Sequence, residues 1–458
     1  MHDDLLYAKS IVKTEPDEAL RICNNLLSEE FDSQEGQMAL FMIGFIMMEA
    51  ERYGLAYQIY QRCAHLRPNM SEIWSNMGMC LEEKDPERAK TYFKKAYKLD
   101  SKNYRALANH ALMCLQAGQP QKCVELCNQA LNLNKDLVAA AHNRSLARIM
   151  LRDWDGWEDY FDTLGVKHRE ARDYGVPDWN GEKGTVLVYG EQGVGDEIMF
   201  ASCLPDLLKE NKVVFDCDSR LEDLFARSFP DIEVYGDRFK RQSRAADQHY
   251  DYQCAIGQLP YFFRRSEEAF PGQPYLEADP EQCIQWRSLF DTFKGKKVGI
   301  AWRGGLKSTG EKKRSLEISD FAPIFQDDDT YISLEYKEVS KDLQRKYNLK
   351  AYPRATAKGG VIDDLAALIS QLDYVVTACT TVVYVAGALG IPCYVLVPSS
   401  PGYRYHMEGN FPWYKSVQLL RQNKNESWKN TIRRVSKTIL QQEGNIRDDD
   451  LLQEAEAV

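Results

Sequence analysis

Residues 37–137 fall into three successive segments of about 34 residues in which small and large side chains return in the same order. Gly44, Tyr53, Ala56, Tyr60 and Pro68 stand in residues 37–70. Trp74, Gly78, Ala89, Phe93 and Ala96 follow in residues 71–103, with one residue deleted. Ala111, Gly118, Cys123, Cys127 and Ala130 follow in residues 104–137. A fourth segment starts near Val138 and carries Trp154, Trp157 and Phe161, and a partial one, DEALRICNNLL, precedes them all. A segment of this length cannot bury its own apolar face, so each must stack on the next. Small residues let two helices approach closely, and large ones fill the gap to the following pair. The expected product is a right-handed stack of helix pairs with a concave face, over residues 1–161.

This pattern resembles the tetratricopeptide repeat. The resemblance implies an α-solenoid whose groove holds a peptide or a partner protein. The plainer alternative is that the stack supports the next domain or makes a dimer. His110 and His142 lie on the repeat helices and read as packing or groove residues rather than ligands.

The pattern changes after Phe161. Residues 162–183 read as a linker, because DYGVPDWNGEKG holds three glycines and a proline. Short apolar runs (TVLVYG, VVFDCD, IEVYG) then alternate with helical stretches, which implies an α/β domain with a mostly parallel sheet over 184–283. A second such domain, 284–425, starts at KKVGIAWRGG and continues through TYISLEYK, DYVVTA and PCYVLVP. Residues 426–458 read as a C-terminal helix, expected to return onto the first α/β domain, and an acidic tail. Two tandem domains of this kind form a cleft at the carboxyl ends of their strands.

A net charge of −10 argues against nucleic acid as a partner. No run approaches the roughly 20 apolar residues of a transmembrane segment. The opening MHDDLLYAKS has acids where a signal peptide carries bases, so a cytoplasmic location is expected. The twelve cysteines include no C-x-x-C pair and read as reduced core thiols, Cys123 and Cys127 among them. Asp216-Cys217-Asp218 matches a D-x-D metal motif by coincidence; these acids read as caps of the next helix, and no metal is expected.

The stretch VLVYGEQGVGDE (186–197) runs from a strand into a glycine loop and an acid. Gly190, Gly193 and Gly195 do not have the G-x-G-x-x-G spacing of a dinucleotide site, and no Gly-Lys-Ser/Thr follows as in a P-loop. A nucleotide-dependent oxidoreductase is therefore disfavoured. Glycines here let backbone approach a ligand at a helix start. Asp196 reads either as a first-turn helix acid or as a general base facing the cleft.

YGEQGVGDEIMFASCLPDL is similar to the first motif of heptosyltransferase-like proteins, glycosyltransferase family 9. Similar in order and spacing to the repeat-bearing subgroup are VGIAWRGG, KKRSLEISDFAPIF, YISLEYK, LAALISQLDYVVTACTTVVYVAGALGIPCYVLVP and YRYHMEGNFPWYKSVQLLRQ. The resemblance implies a compact GT-B transferase of two Rossmann-like α/β domains behind the solenoid. It also implies metal-free, inverting transfer from a nucleotide sugar, with no cofactor beyond that donor. Asp196 matches the family's general base. Asp196→Asn is then expected to abolish transfer and leave donor binding nearly intact. The acceptor is a saccharide or a protein; the repeats favour a protein by analogy with other repeat-bearing O-glycosyltransferases.

A departing nucleoside diphosphate needs cations and N–H groups. RGGLKSTGEKKRS (303–315) supplies Arg303, Lys307 and Arg314, and Lys337 ends the strand YISLEYK. Thr380 and Thr381 open a helix whose free N–H groups suit an anion. Gly193 and Gly195 would bring backbone to the donor, and Arg404 and His406 follow the last clear strand within reach of it. Trp413 and Tyr414 either stack on a sugar or base or seal the domain interface. The family's usual Asp-Thr pair and following His are replaced by Cys379-Thr380 and Tyr384. That departure motivates the alternative of a non-catalytic repeat scaffold with a degenerate, ligand-binding transferase domain. Cys379 has no His in an obvious motif to make it a nucleophile.

Overall fold

The computed structural model describes residues 3–29, 33–166, 169–240, 243–247, 249–305, 311–356 and 360–444. It contains two compact units, residues 1–151 and 152–458.

The first unit consists of helices α1 (Asp3–Ile11), α2 (Pro16–Glu29), α3 (Gln34–Glu49), α4 (Tyr53–Leu66), α5 (Ser71–Leu81), α6 (Pro86–Leu99), α7 (Tyr104–Gln116), α8 (Pro120–Leu133) and α9 (Val138–Met150). Proline opens α2, α6 and α8, where its missing N–H has no intrahelical partner to lose. Asp85 caps α6 by accepting from the Arg88 N–H at 3.1 Å, and Asn103 caps α7 through the Ala106 N–H at 2.9 Å. Consecutive helices pack, and each odd-numbered helix also touches the next odd one. The repeat glycines mark the crossings. A Cβ on Gly44 would stand 2.8 Å from the Tyr60 ring, and one on Gly78 only 2.6 Å from Phe93.

His110 is buried on α7, its ring stacked on Tyr97 at 5.7 Å between centroids. Burial, reinforced by Lys90, Lys122 and Lys94, lowers its pKa to about 4. The unfolded chain therefore takes up this proton first. Stability is complete above about pH 6.5 and falls as pH drops from there toward 4, by up to about 3 kcal/mol. His110→Phe keeps the stack and removes the titration. Its melting temperature should gain on the wild type between pH 7.5 and 4.5; a constant difference would contradict this assignment.

The second unit begins before the sequence reading places a boundary. Helix α10 (Gly156–Asp162) belongs to it, although Trp157 and Phe161 read as the end of a fourth repeat. Its large aromatics find their cover here: Trp157 packs edge-on to Phe200 and Trp413, and Tyr160 lies against Tyr403. The stretch read as a linker has little regular structure but is laid onto the α/β unit. The Tyr174 hydroxyl donates to Asp216 at 2.9 Å, its backbone N–H donates to Gln253 at 2.7 Å, and Trp179 is buried.

Two parallel sheets follow. The first contains β1 (Thr185–Tyr189), β2 (Lys212–Asp216), β3 (Glu233–Tyr235) and β4 (Tyr252–Ala255) in the order β3-β2-β1-β4. The second contains β5 (Lys297–Ala301), β6 (Thr330–Ser333), β7 (Leu349–Ala351), β8 (Tyr374–Ala378), β9 (Cys393–Val397) and β10 (Val417–Arg421) in the order β10-β9-β8-β5-β6-β7. Each order reverses beside its first strand, between β1 and β4 and between β5 and β8. Such reversals open a crevice at the carboxyl ends of the strands.

The helix Trp428–Gln442 packs on the second sheet and does not return onto the first α/β domain as expected from the sequence. Ile432, Val435 and Ile439 join Leu396 and Leu420 in that core. Their helical spacing gives an apolar stripe, and β9 and β10, next to it in sequence, supply the nearest uncovered face. The acidic tail from residue 445 lies outside the described residues.

Candidate functional site

The site is built from the loops at the two reversals. After β1 the chain turns through Gly190 and enters helix α11 (Val194–Ala201), with Gly193 as its extended N-cap residue. Asp196 sits in the first turn, and its N–H donates to the Gly193 carbonyl at 2.8 Å. Its side chain does not cap the helix. Oδ1 is ion-paired with Nη2 of Arg404, which follows β9 in the turn Tyr403–Tyr405. Both side chains are half-buried.

Gly195 explains how close the two loops come. A Cβ there would stand 2.9 Å from Tyr384 and 3.4 Å from the Thr381 hydroxyl. Both residues belong to the helix Thr381–Leu389, which begins just after β8. The α11 first turn and the start of that helix therefore face each other directly. Burial pushes the Tyr384 phenol up to about 12, so it stays protonated near neutrality and donates to Tyr405 at 3.3 Å. It occupies the space beside Gly195 as a neutral group.

The loop is braced from below. Glu197 and Arg238 form an ion pair, both side chains buried. Glu197 also accepts the Asp218 N–H at 2.9 Å, and Arg238 donates to the Gln192 carbonyl. Glu191 is equally buried, 3.6 Å from Arg169, and desolvation raises its pKa against the pull of that cation. Gln192 donates to the Tyr160 hydroxyl at 2.8 Å, which shares a hydrogen bond with Tyr403 at 3.1 Å. A chain of polar contacts thus runs from α10 through Tyr403 to Arg404. None of Tyr160, Gln192, Arg238 and Tyr403 is legible as a site residue from the sequence. The only signal is the dense cluster of tyrosines in YRYHMEGNFPWY.

The expected leaving-group cations that fall among the described residues are engaged with protein partners. Arg303, after β5, is 2.9 Å from the buried Glu335, whose carboxylate also accepts the Trp302 and Arg303 N–H groups. Burial raises the Glu335 pKa, and these N–H groups and the guanidinium oppose it. Arg314 donates to the Cys379 carbonyl at 2.9 Å and so ties the loops after β5 and β8 together. Lys337 does not end a strand, because β6 stops at Ser333; it is exposed and paired with Glu311 at 2.6 Å. Thr380 stands at the N-cap position of the helix Thr381–Leu389 without a side-chain capping hydrogen bond, its hydroxyl 3.3 Å from that of Thr377. Lys307 lies outside the described residues.

Other expectations resolve by packing. His406 is buried edge-on to Trp154. Trp413 and Tyr414 are buried: Trp413 packs on Phe270, and the Tyr414 hydroxyl bonds that of Tyr275 at 2.8 Å. They seal the interior and offer no stacking surface. Cys379 is buried with its thiol pushed up to about 12, which leaves no thiolate for attack. Asp216 accepts from Tyr174 and Ser243, and Asp218 pairs with Arg220, so this D-x-D spends its oxygens on the fold. An open pocket elsewhere is lined by Asp223, Arg227, Asp279, Asp363 and Asp364, a set that repels a diphosphate.

Comparison with known proteins bears on both halves. The tetratricopeptide-repeat family matches residues 81–149. The N-terminal unit thus contains tetratricopeptide repeats. Protein FlbA of Caulobacter vibrioides is 26% identical over 421 residues, covering 85% of this chain and 70% of that protein. The BBSome complex member BBS4 homolog of Drosophila melanogaster is 26% identical over 157 residues, 34% of this chain and 28% of that protein. Among solved structures, MamA from Desulfovibrio magneticus RS-1 is 18% identical, with 36% of this chain and 94% of that chain covered at a TM-score of 0.30. YrrB, described as a TPR protein with an unusual peptide-binding site, is 23% identical, with 30% and 69% covered at a TM-score of 0.26.

Proposed function

We propose that the chain is a metal-independent, inverting glycosyltransferase of GT-B architecture that works in the cytoplasm, with its repeats holding a protein acceptor or partner. The observation that carries this reading is the meeting of the two strand-order reversals. Asp196 from the first sheet faces Arg404, Thr381 and the start of the helix Thr381–Leu389 from the second. A carboxylate opposite a cation and a helix N-terminus is what a transfer from a nucleotide sugar requires.

In that reaction Asp196 takes the proton of the acceptor hydroxyl. The hydroxyl oxygen forms a bond to the anomeric carbon, and the bond from that carbon to the phosphate oxygen breaks. Its electron pair leaves with the nucleoside diphosphate, toward Arg404 and the free N–H groups of the helix. A single displacement inverts the anomeric centre. Holding both reactants in one crevice supplies much of the acceleration.

A second reading, a nucleotide- or glycan-binding scaffold without turnover, is favoured by one feature: Tyr384 fills the space beside Gly195 while Asp196 is already paired. Nucleoside diphosphate release from nucleotide sugars in EDTA separates the two. Slow release by the wild type that disappears in Asp196→Asn supports the transferase. Binding without release from any donor supports the scaffold.

A further inference from the structure

We propose that Arg404 is a latch on the base. In this structure its guanidinium holds Asp196. When a nucleotide sugar binds, it turns to the diphosphate and frees the carboxylate, so that proton abstraction becomes conditional on the donor. The inference rests on the transferase reading above and adds an order of events to it.

Three observations carry it. The pair joins loops of different sheets, so it spans the crevice that a donor must enter. It is also incompletely satisfied. Arg404 Nε is buried without a hydrogen-bond partner among the described residues, and Asp196 Oδ1 has only its ion-pair contact with Arg404 Nη2. An unpartnered Nε is shared by Arg264, but that arginine uses both Nη atoms, donating to Asp206 and to the Phe263 and Ser202 carbonyls within 2.8 Å, whereas the Arg404 fork is engaged through Nη2 with one carboxylate oxygen. Finally, the backbone that carries Arg404 is pinned. Arg421, at the end of β10, donates to the carbonyls of Tyr405, His406 and Gly409. The Arg404 side chain itself lies against the Tyr403 ring, with its guanidinium 4.4 Å from the centroid.

A guanidinium has five donors in a planar fork, and one carboxylate oxygen uses little of that capacity. A diphosphate presents more charge and more acceptors and competes for the fork. Asp196 and the donor then contend for one cation. Removing the carboxylate must strengthen diphosphate binding chiefly while Arg404 is present, whereas relief of charge repulsion alone would strengthen it equally with or without Arg404.

The experiment is titration calorimetry on the full chain with inorganic pyrophosphate and with ADP, GDP, UDP and dTDP. It compares wild type, Asp196→Asn, Arg404→Gln, Arg404→Lys and the double variant Asp196→Asn/Arg404→Gln, each checked for an unchanged circular dichroism spectrum. Asp196→Asn should bind the preferred diphosphate about tenfold more tightly, and Arg404→Gln about tenfold more weakly. In the Arg404→Gln background, Asp196→Asn should change affinity less than about twofold. Arg404→Lys, which keeps the charge without the fork, should fall between wild type and Arg404→Gln. Diphosphate binding that Asp196→Asn leaves unchanged, or improves equally in both backgrounds, overturns the latch and leaves the transferase reading standing. No binding by any variant overturns both.

Discussion

Asp196→Asn should lower turnover by about a thousandfold, the middle of the range for loss of a general base. The carboxamide has the same shape but cannot accept the acceptor's proton. The side chain is half-buried and does not cap α11, so the substitution leaves the fold in place. It leaves Arg404 without its anion, at a cost of about 1 kcal/mol for a pair of this exposure. The donor KM should fall, for the reason given by the latch. This combination, lower kcat with lower KM, distinguishes loss of a base from general damage, which lowers kcat and raises KM. A loss of less than about tenfold in nucleoside diphosphate release would take Asp196 out of the catalytic role.

Glu197→Ala, one residue away, should have the opposite profile, destabilising the second unit by about 3–5 kcal/mol because Arg238 is left as a buried, uncompensated charge. Glu197 is fully buried, and its second oxygen holds the Asp218 N–H. Replacing both partners with apolar residues, Glu197→Leu/Arg238→Met, should recover most of the loss, since neither charge then remains to be solvated. Urea unfolding followed by tryptophan fluorescence reports on this unit, which holds seven of the eight tryptophans. A Glu197→Ala loss of under about 1 kcal/mol would contradict the assigned brace.

The repeats are legible in sequence because their signature residues are the packing contacts themselves: Gly44 meets Tyr60, and Gly78 meets Phe93. The central strands are legible for a similar reason, being buried runs such as Val186–Tyr189 and Tyr374–Ala378. β4, β7 and β10 escape notice because they are short or partly exposed sheet-edge strands with no strong period. At the site, Asp196 is readable from the glycine loop and Arg404 as a donor-side cation, but their pairing is not. Arg404 lies some two hundred residues on, and only the sheet topology brings it near. Arg303 and Lys337 show the same limit. As sequence they are surplus positive charge; in the fold they belong to Glu335 and Glu311. Charge in a sequence counts cations, whereas a leaving-group site depends on which of them tertiary structure leaves available.

The most direct test of the transferase account is donor binding by the full chain in EDTA, followed by thermal shift across ADP-, GDP-, UDP-, dTDP- and CMP-sugars. A ligand at a hundred times its Kd stabilises the unit it binds by about 2.7 kcal/mol, enough for a clear rise in Tm. The account predicts one nucleotide class that raises Tm in the wild type and raises it further in Asp196→Asn. No rise with any donor at millimolar concentration would contradict it.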